Sequence, residues 1–265
     1  MQLEKALNNE RQQLDYFREG YEDRSCALFP ESSGTKHVIS LLLCGDEWTD
    51  RSGKDVPPPD FVCEEHGIML EVMRVDDHER VGRKGGVVNP AREHESNVAK
   101  ECAEVLSGLF ANEKRTPELF VLGDAQLPTD EDHSYSNYLT AFKRIVDKHA
   151  MKSESYRNNH PGSDLVFFVF DESSAYFEAA DWVERPLLEG DTVLGRPHFF
   201  FADAAFLEVV FSSGADYFVW HTPFKHEHLF AEGLKLPNTI VYDLSKRSCL
   251  EAIEYDLSRM VSTEI

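Results

Sequence analysis

The chain has 265 residues, 42% of them apolar and 28% charged, which supplies enough hydrophobic material for a core and excludes a disordered polymer. Lys and Arg total 27 against 48 Asp and Glu, a net charge of −21, which disfavours a general coating of nucleic acid and any attraction to an anionic membrane. A polyanion would have to be met through a local basic patch or a divalent metal.

The opening stretch MQLEKALNNERQQ has neither the apolar run nor the small-residue cleavage site of a secretory signal. No stretch approaches the roughly 20 apolar residues that a membrane-crossing helix needs, so the expectation is a cytoplasmic protein with no membrane contact. Cys26, Cys44, Cys63, Cys102 and Cys249 are odd in number, scattered and without a C-x-x-C pair, which reads as reduced thiols rather than a cysteine-rich zinc site.

Taken in chain order, residues 2–23 place Leu3, Leu7, Leu14, Phe17 and Tyr21 on one stripe of an amphipathic helix, and Glu10 bridges its one long step. KHVISLLLCG, residues 36–45, is a continuous apolar run of strand length ended by Gly45 and Asp46. PPPDFVCEEHGIMLEVMR, residues 57–74, reads as two strands joined by a hairpin turn, with Asp60 starting the first and Glu71 inside the second, flanked by Leu70, Val72 and Met73. A carboxylate in so apolar a strand is costly unless it is paired, hydrogen-bonded or holding a metal.

A polar, Gly-rich loop follows, locally basic through Arg74, Arg80, Arg83, Lys84 and Arg92. The spacing then predicts a helix over about 93–110, with Glu95 on the apolar face and Lys100 opposite it. ELFVLGD reads as a strand, YSNYLTAFKRIVDKHAM as a helix and SDLVFFVFDES as an apolar strand ending at Asp171 and Glu172. Residues 173–202 read as irregular. Asp203 can cap a helix through Ser212 that Gly214 stops. ADYFVWHT and NTIVYDL read as strands, and Ser245 opens a last helix bearing Leu250, Ile253, Leu257 and Val261. Without repeat or linker, this alternation predicts one α/β domain over 1–265, its central sheet mixed, largely parallel, flanked by helices and edged by the early hairpin.

The order helix, strand, strand, strand, helix, strand over about 1–125, with PD at Pro59–Asp60 and EVM at Glu71–Met73, resembles the PD-(D/E)XK, or restriction-endonuclease-like, nuclease superfamily. The resemblance implies a nuclease-like core over about 1–125 with further α/β elements over 126–265. It implies that Asp60 and Glu71 bind Mg²⁺, with Mn²⁺ as a substitute, and that Glu10 completes the acid set. Strand alternation puts residues 71 and 73 on one face, and converging carboxylates suit a hard cation that polarises phosphate and lowers the pKa of bound water. Position 73 is Met where the family has Lys, so another cation replaces it or the site no longer cuts. Glu95 is a candidate migrated acid, and Arg74, Arg83 and Lys84 are candidate phosphate contacts for a nucleic acid reaching the basic loop.

Plainer roles stay open beside these. Glu71 can pair with a buried Lys or Arg, Asp60 can begin a turn, and Glu10 can reach water from the edge of its stripe. Asp171 and Glu172 sit where an apolar strand ends, a place where ligands gather in α/β sheets, or they cap a turn. His221, His226 and His228 lack the spacing of a helical zinc motif. The rival to a nuclease is a non-catalytic acidic module that binds a protein partner.

Overall fold

The computed structural model describes residues 10–51, 59–82, 85–109, 133–181, 194–225, 236–247 and 250–263, with the side chains of 81, 95, 99 and 102–109 outside that description. Within it, α1 (Glu10–Gly20), β1 (Cys26–Phe29), α2 (Ser33–Leu43) and β2 (Thr49–Asp50) lead into the hairpin β3 (Phe61–Cys63) and β4 (Ile68–Val75). A small ribbon, β5 (Arg80–Val81) and β6 (Val87–Val88), precedes α3 (Pro90–Leu109); α4 (Tyr135–Ala150), α5 (Ser153–Asn159) and β7 (Asp164–Asp171) follow. The remainder comprises β8 (Tyr176–Ala179), β9 (Gly195–Pro197), α6 (Ala204–Ser212), β10 (Tyr217–His221), β11 (Thr239–Asp243) and β12 (Met260–Ser262).

Seven strands form one sheet in the order β1-β11-β10-β7-β4-β3-β2, and β12-β8-β9 form a second, small sheet. The pairs β1–β11, β10–β7 and β7–β4 are parallel; β10–β11, β3–β4 and β2–β3 are antiparallel. The main sheet is therefore evenly mixed, not largely parallel: the β2–β3–β4 meander adds antiparallel strands at one end, and β11 enters antiparallel to β10. Helices cover both faces. Leu14 and Phe17 of α1 with Val38, Ile39, Leu41 and Leu42 of α2 pack on Leu70, Val72, Phe168 and Val219. Tyr138, Phe142 and Val146 of α4, Tyr156 of α5, and Phe206 and Val210 of α6 pack on Met69, Met73, Phe167, Val169 and Trp220. Alternate residues of each strand thus feed opposite layers, as the pleat requires.

The run 36–45, expected as a strand, is the body of α2. Ser32 and Thr35 form a capping box, Thr35 N donating to Ser32 Oγ at 3.3 Å and Ser32 N to Thr35 Oγ1 at 3.1 Å, a device that contributes about 1 kcal/mol. Burial of Thr35, Val38, Ile39 and Leu42 follows the helical period, while Lys36, His37 and Ser40 are exposed. A short apolar run alone does not separate a buried helix from a buried strand; the cap four residues upstream does.

The last helix, expected from Ser245, is not formed among the described residues. Ser245 N and Oγ instead bind Asp243 Oδ1, Ile253 bridges to the backbone of residues 202–204, and β12 pairs with the edge of β8. Arg259 secures that edge by donating to Glu178 Oε1 at 2.9 Å. Leu250 and Met260 still pack on the core, but from extended chain. The stretch 173–202, expected as irregular, contributes β8 and β9. Elsewhere the helix ends agree with the sequence: Asp203 Oδ1 accepts from Ala205 N at 2.8 Å, and Gly214 stops the chain after α6 with φ of 75°. The strand expected at ELFVLGD lies outside the described residues.

Candidate metal centre at the β3–β4 hairpin

The β3–β4 register sets Phe61 opposite Leu70 and Val62 opposite Met69. One further step brings Asp60 beside Glu71 on the face that α4 and α5 cover. Asp60 Oδ2 fixes this arrangement by accepting a hydrogen bond from Val72 N at 2.8 Å.

Glu71 is 2% exposed. Its Oε1 accepts from Tyr156 Oη at 2.8 Å, lies 2.5 Å from His149 Nδ1 and is 3.8 Å from Lys152 Nζ. Its Oε2 is buried and has no hydrogen-bond partner among the described residues. An orphaned buried acceptor forfeits its hydration without return. The side chain is thus clamped on one oxygen and open on the other.

Burial pushes the Asp60 carboxyl up to about 8, and the charges of Glu71 and Glu10 add to the rise; Val72 N–H and the Lys152 ammonium oppose it. Glu10, at the start of α1, therefore belongs to the same electrostatic neighbourhood although its helix lies on the other face of the sheet. Burial and the Glu71 charge likewise raise the Tyr156 phenol well above its usual range. Two carboxylates whose repulsion is relieved by a proton are equally relieved by a cation, and carboxylate oxygens are the ligands that Mg²⁺ and Mn²⁺ take. Asp60, Glu71 and Glu10 fit such an ion in donor type.

Met73 shares the face of Glu71 but is 2% exposed within the hydrophobic cluster of α4 and α6. Burying a methionine here stabilises the fold by about 2 kcal/mol, whereas desolvating an ammonium would cost several. Position 73 is committed to packing, and the cation near Glu71 comes from Lys152 at the α4–α5 junction. His149, Lys152 and Tyr156 went unnoticed in the sequence. Their steps of three and four were the available signal: a polar stripe at helical spacing beside an apolar one.

The other residues singled out in the sequence are not brought to this centre. Arg74 points to the opposite face of β4 and pairs with Glu172, and Arg92 Nη2 lies 2.7 Å from Asp76 Oδ2, so these two cations of the basic stretch are already matched by acids. Arg83 and Lys84 lie outside the described residues. Glu95 is on α3, with its side chain outside the description, and Lys100 is exposed. His221 is buried in β10 with Nδ1 3.0 Å from Thr239 Oγ1, while His226 and His228 lie outside the described residues.

Asp171 has a structural role. Its Oδ2 accepts from Tyr138 Oη at 2.5 Å, Trp220 Nε1 at 2.8 Å and Lys225 Nζ at 3.2 Å, and its Oδ1 accepts from Ser173 N at 2.9 Å. Lys225 also stands 4.4 Å from the centre of the Tyr138 ring. Both charges are almost fully buried, and each carboxylate oxygen is occupied.

No helix among the described residues is long and apolar enough to cross a membrane. Compared with protein-family models, curated proteins and solved structures, the chain finds no match.

Proposed function

We propose that Asp60 and Glu71, with Glu10 as accessory acid, hold a Mg²⁺ ion and that the protein is a metal-dependent phosphodiester hydrolase of the PD-(D/E)XK kind. The observation that carries this reading is the open Oε2 of a clamped, buried Glu71 beside Asp60. The element order adds support. The meander β2–β3–β4, the helices after it and the parallel strand β7 repeat the strand, strand, strand, helix, strand part of that order, although β1 and α2 come between α1 and β2 and the ribbon β5–β6 precedes α3.

Held by Asp60, Glu71 and Glu10, such an ion would supply Lewis acidity toward a phosphate oxygen and would lower the pKa of bound water. His149 and Tyr156 hold Glu71 in one orientation, and the β3–β4 register holds Asp60 beside it. Lys152 provides the positive charge that Met73 does not. A nucleic acid approaching a chain of net charge −21 would depend on this ion for attraction as well as chemistry.

Met73 also favours the rival, a non-catalytic acidic module for a protein partner, because the family's lysine position is given over to packing. Cleavage of single- and double-stranded DNA and RNA in Mg²⁺ against EDTA separates the two. The hydrolase reading predicts metal-dependent cleavage that is lost in the Asp60→Asn, Glu71→Gln double variant. It also predicts that Lys152→Met lowers the rate about 10²-fold, within the range of a proton-transfer or charge-stabilising group, while Mg²⁺ still binds. Absence of cleavage on all substrates in a protein that binds Mg²⁺ would remove the hydrolase reading and leave the rival.

A further inference from the structure

A second cluster lies beyond the carboxyl end of β4, about 20 Å along the strand from Glu71. Asp77 and His78 follow β4, and His133 immediately precedes Ser134, the residue that caps α4. One ligand atom from each of Asp77, His78 and His133 falls within 4.8 Å of the others. His133 Nδ1 is 3.2 Å from Asp77 Oδ2, His78 Nε2 is 4.0 Å from Asp77 Oδ1, and the two imidazole centres are 4.9 Å apart.

Asp77 is 0% exposed. Its Oδ2 is held by Ser174 N at 3.0 Å, Ser174 Oγ at 2.8 Å and Tyr176 Oη at 2.6 Å. Its Oδ1, the oxygen facing His78, has no hydrogen-bond partner among the described residues. One oxygen is thus fully engaged by hydroxyl and amide donors that fix the carboxylate plane, as the outer shell of a metal site does. The other is buried and left open on the side of His78, while His133 stands against the engaged oxygen. The histidine side chains keep 21% and 12% of their exposure, which gives an ion a route in and leaves room for water.

We propose that Asp77, His78 and His133 form a transition-metal site, separate from the Asp60–Glu71 centre, that takes a divalent ion of borderline softness such as Zn²⁺. Two imidazoles and a carboxylate select this class over Mg²⁺, and three protein ligands leave at least one coordination position for water. The position fits a ligand-bearing role, since β4 and β7 run parallel and both end here, and α/β sheets gather ligands at the carboxyl ends of parallel strands. The site does not depend on the hydrolase reading.

Titration of untagged full-length protein with Co²⁺, followed by visible absorption, tests it, with Zn²⁺ competition as a check. The expected result, read in the Asp60→Asn, Glu71→Gln background so that the first centre takes no ion, is one equivalent of Co²⁺ with d–d bands, displaced by Zn²⁺ and weakened at least tenfold when His78→Ala or His133→Ala is added. Because His78 is partly exposed, His78→Ala carries the test if His133→Ala fails to fold. The only other group of this kind among the described residues is Glu47, Cys63 and His66, and a thiolate there would add an intense near-ultraviolet charge-transfer band. Co²⁺ binding that shows this band, survives in His78→Ala and disappears in His66→Ala would overturn the proposal. So would the absence of any stoichiometric binding.

Discussion

Asp60→Asn makes the metal-free protein more stable, by about 2 kcal/mol at pH 8 after discounting the shift for the partial exposure of the group. The carboxyl is raised from its ordinary 3.8 to about 8 by burial and by the Glu71 and Glu10 charges. Between those values the folded protein keeps a proton that the unfolded chain has released. The unfolded state then binds fewer protons, so stability falls as pH rises from about 4 to 8 and levels off above it. Asparagine keeps an oxygen to accept the Val72 N–H and removes the charge, so its gain over wild type shrinks toward pH 4. Saturating Mg²⁺ reverses the order: wild type gains about 2.7 kcal/mol at a hundredfold excess over Kd, and the variant gains nothing. Urea melts at pH 5, 7 and 8.5, with and without Mg²⁺, check both halves. A variant less stable than wild type in metal-free buffer at pH 8 would show that Asp60 acts as a structural anion.

Asp171→Ala has the opposite sign and a larger size. It strips Lys225, Tyr138 and Trp220 of a shared acceptor and removes the Asp171 charge from beside the buried ammonium of Lys225. Removing one partner of a buried ion pair costs about 3–5 kcal/mol. The burial of Tyr138 and the Asp171 charge hold its phenol well above the usual range, so that hydroxyl remains a neutral donor and does not replace the lost charge. Denaturant unfolding of Asp171→Ala should therefore show a midpoint shifted by the equivalent of about 4 kcal/mol with an unchanged slope. Asp171→Asn, which keeps an acceptor, should lose less. A loss below 1 kcal/mol in Asp171→Ala would mean that Lys225 finds another anion or water.

These two carboxylates show how far the sequence could be read. Asp60 and Glu71 were legible because they are local: a hairpin fixes which strand residues share a face, and an acid among apolar neighbours stands out. Helices 135–150 and 204–212 and the strands 164–171, 217–221 and 239–243 were legible through period and caps. What failed was long-range or ambiguous by length. The run at 36–45 is too short for period to separate helix from strand. The segment after Ser245 has helical spacing, yet the free edge of β8 and the carboxylate of Glu178 captured it as an extended strand. The sheet's even mixture of directions depends on β11 entering between β1 and β10, a pairing across some 200 residues that no local pattern encodes. For the same reason His149, Lys152 and Tyr156 could be seen as a stripe but not matched to Glu71, and Lys225 could not be matched to Asp171.

Calorimetric titration with Mg²⁺ at pH 8 tests the metal centre most directly, because Mg²⁺ discriminates against the imidazole-rich cluster at Asp77. Wild type should bind at one saturable site, and the Asp60→Asn, Glu71→Gln double variant should show no saturable heat. Wild-type protein that binds no Mg²⁺, or a double variant that binds it as well as wild type, would contradict a metal centre at the β3–β4 hairpin.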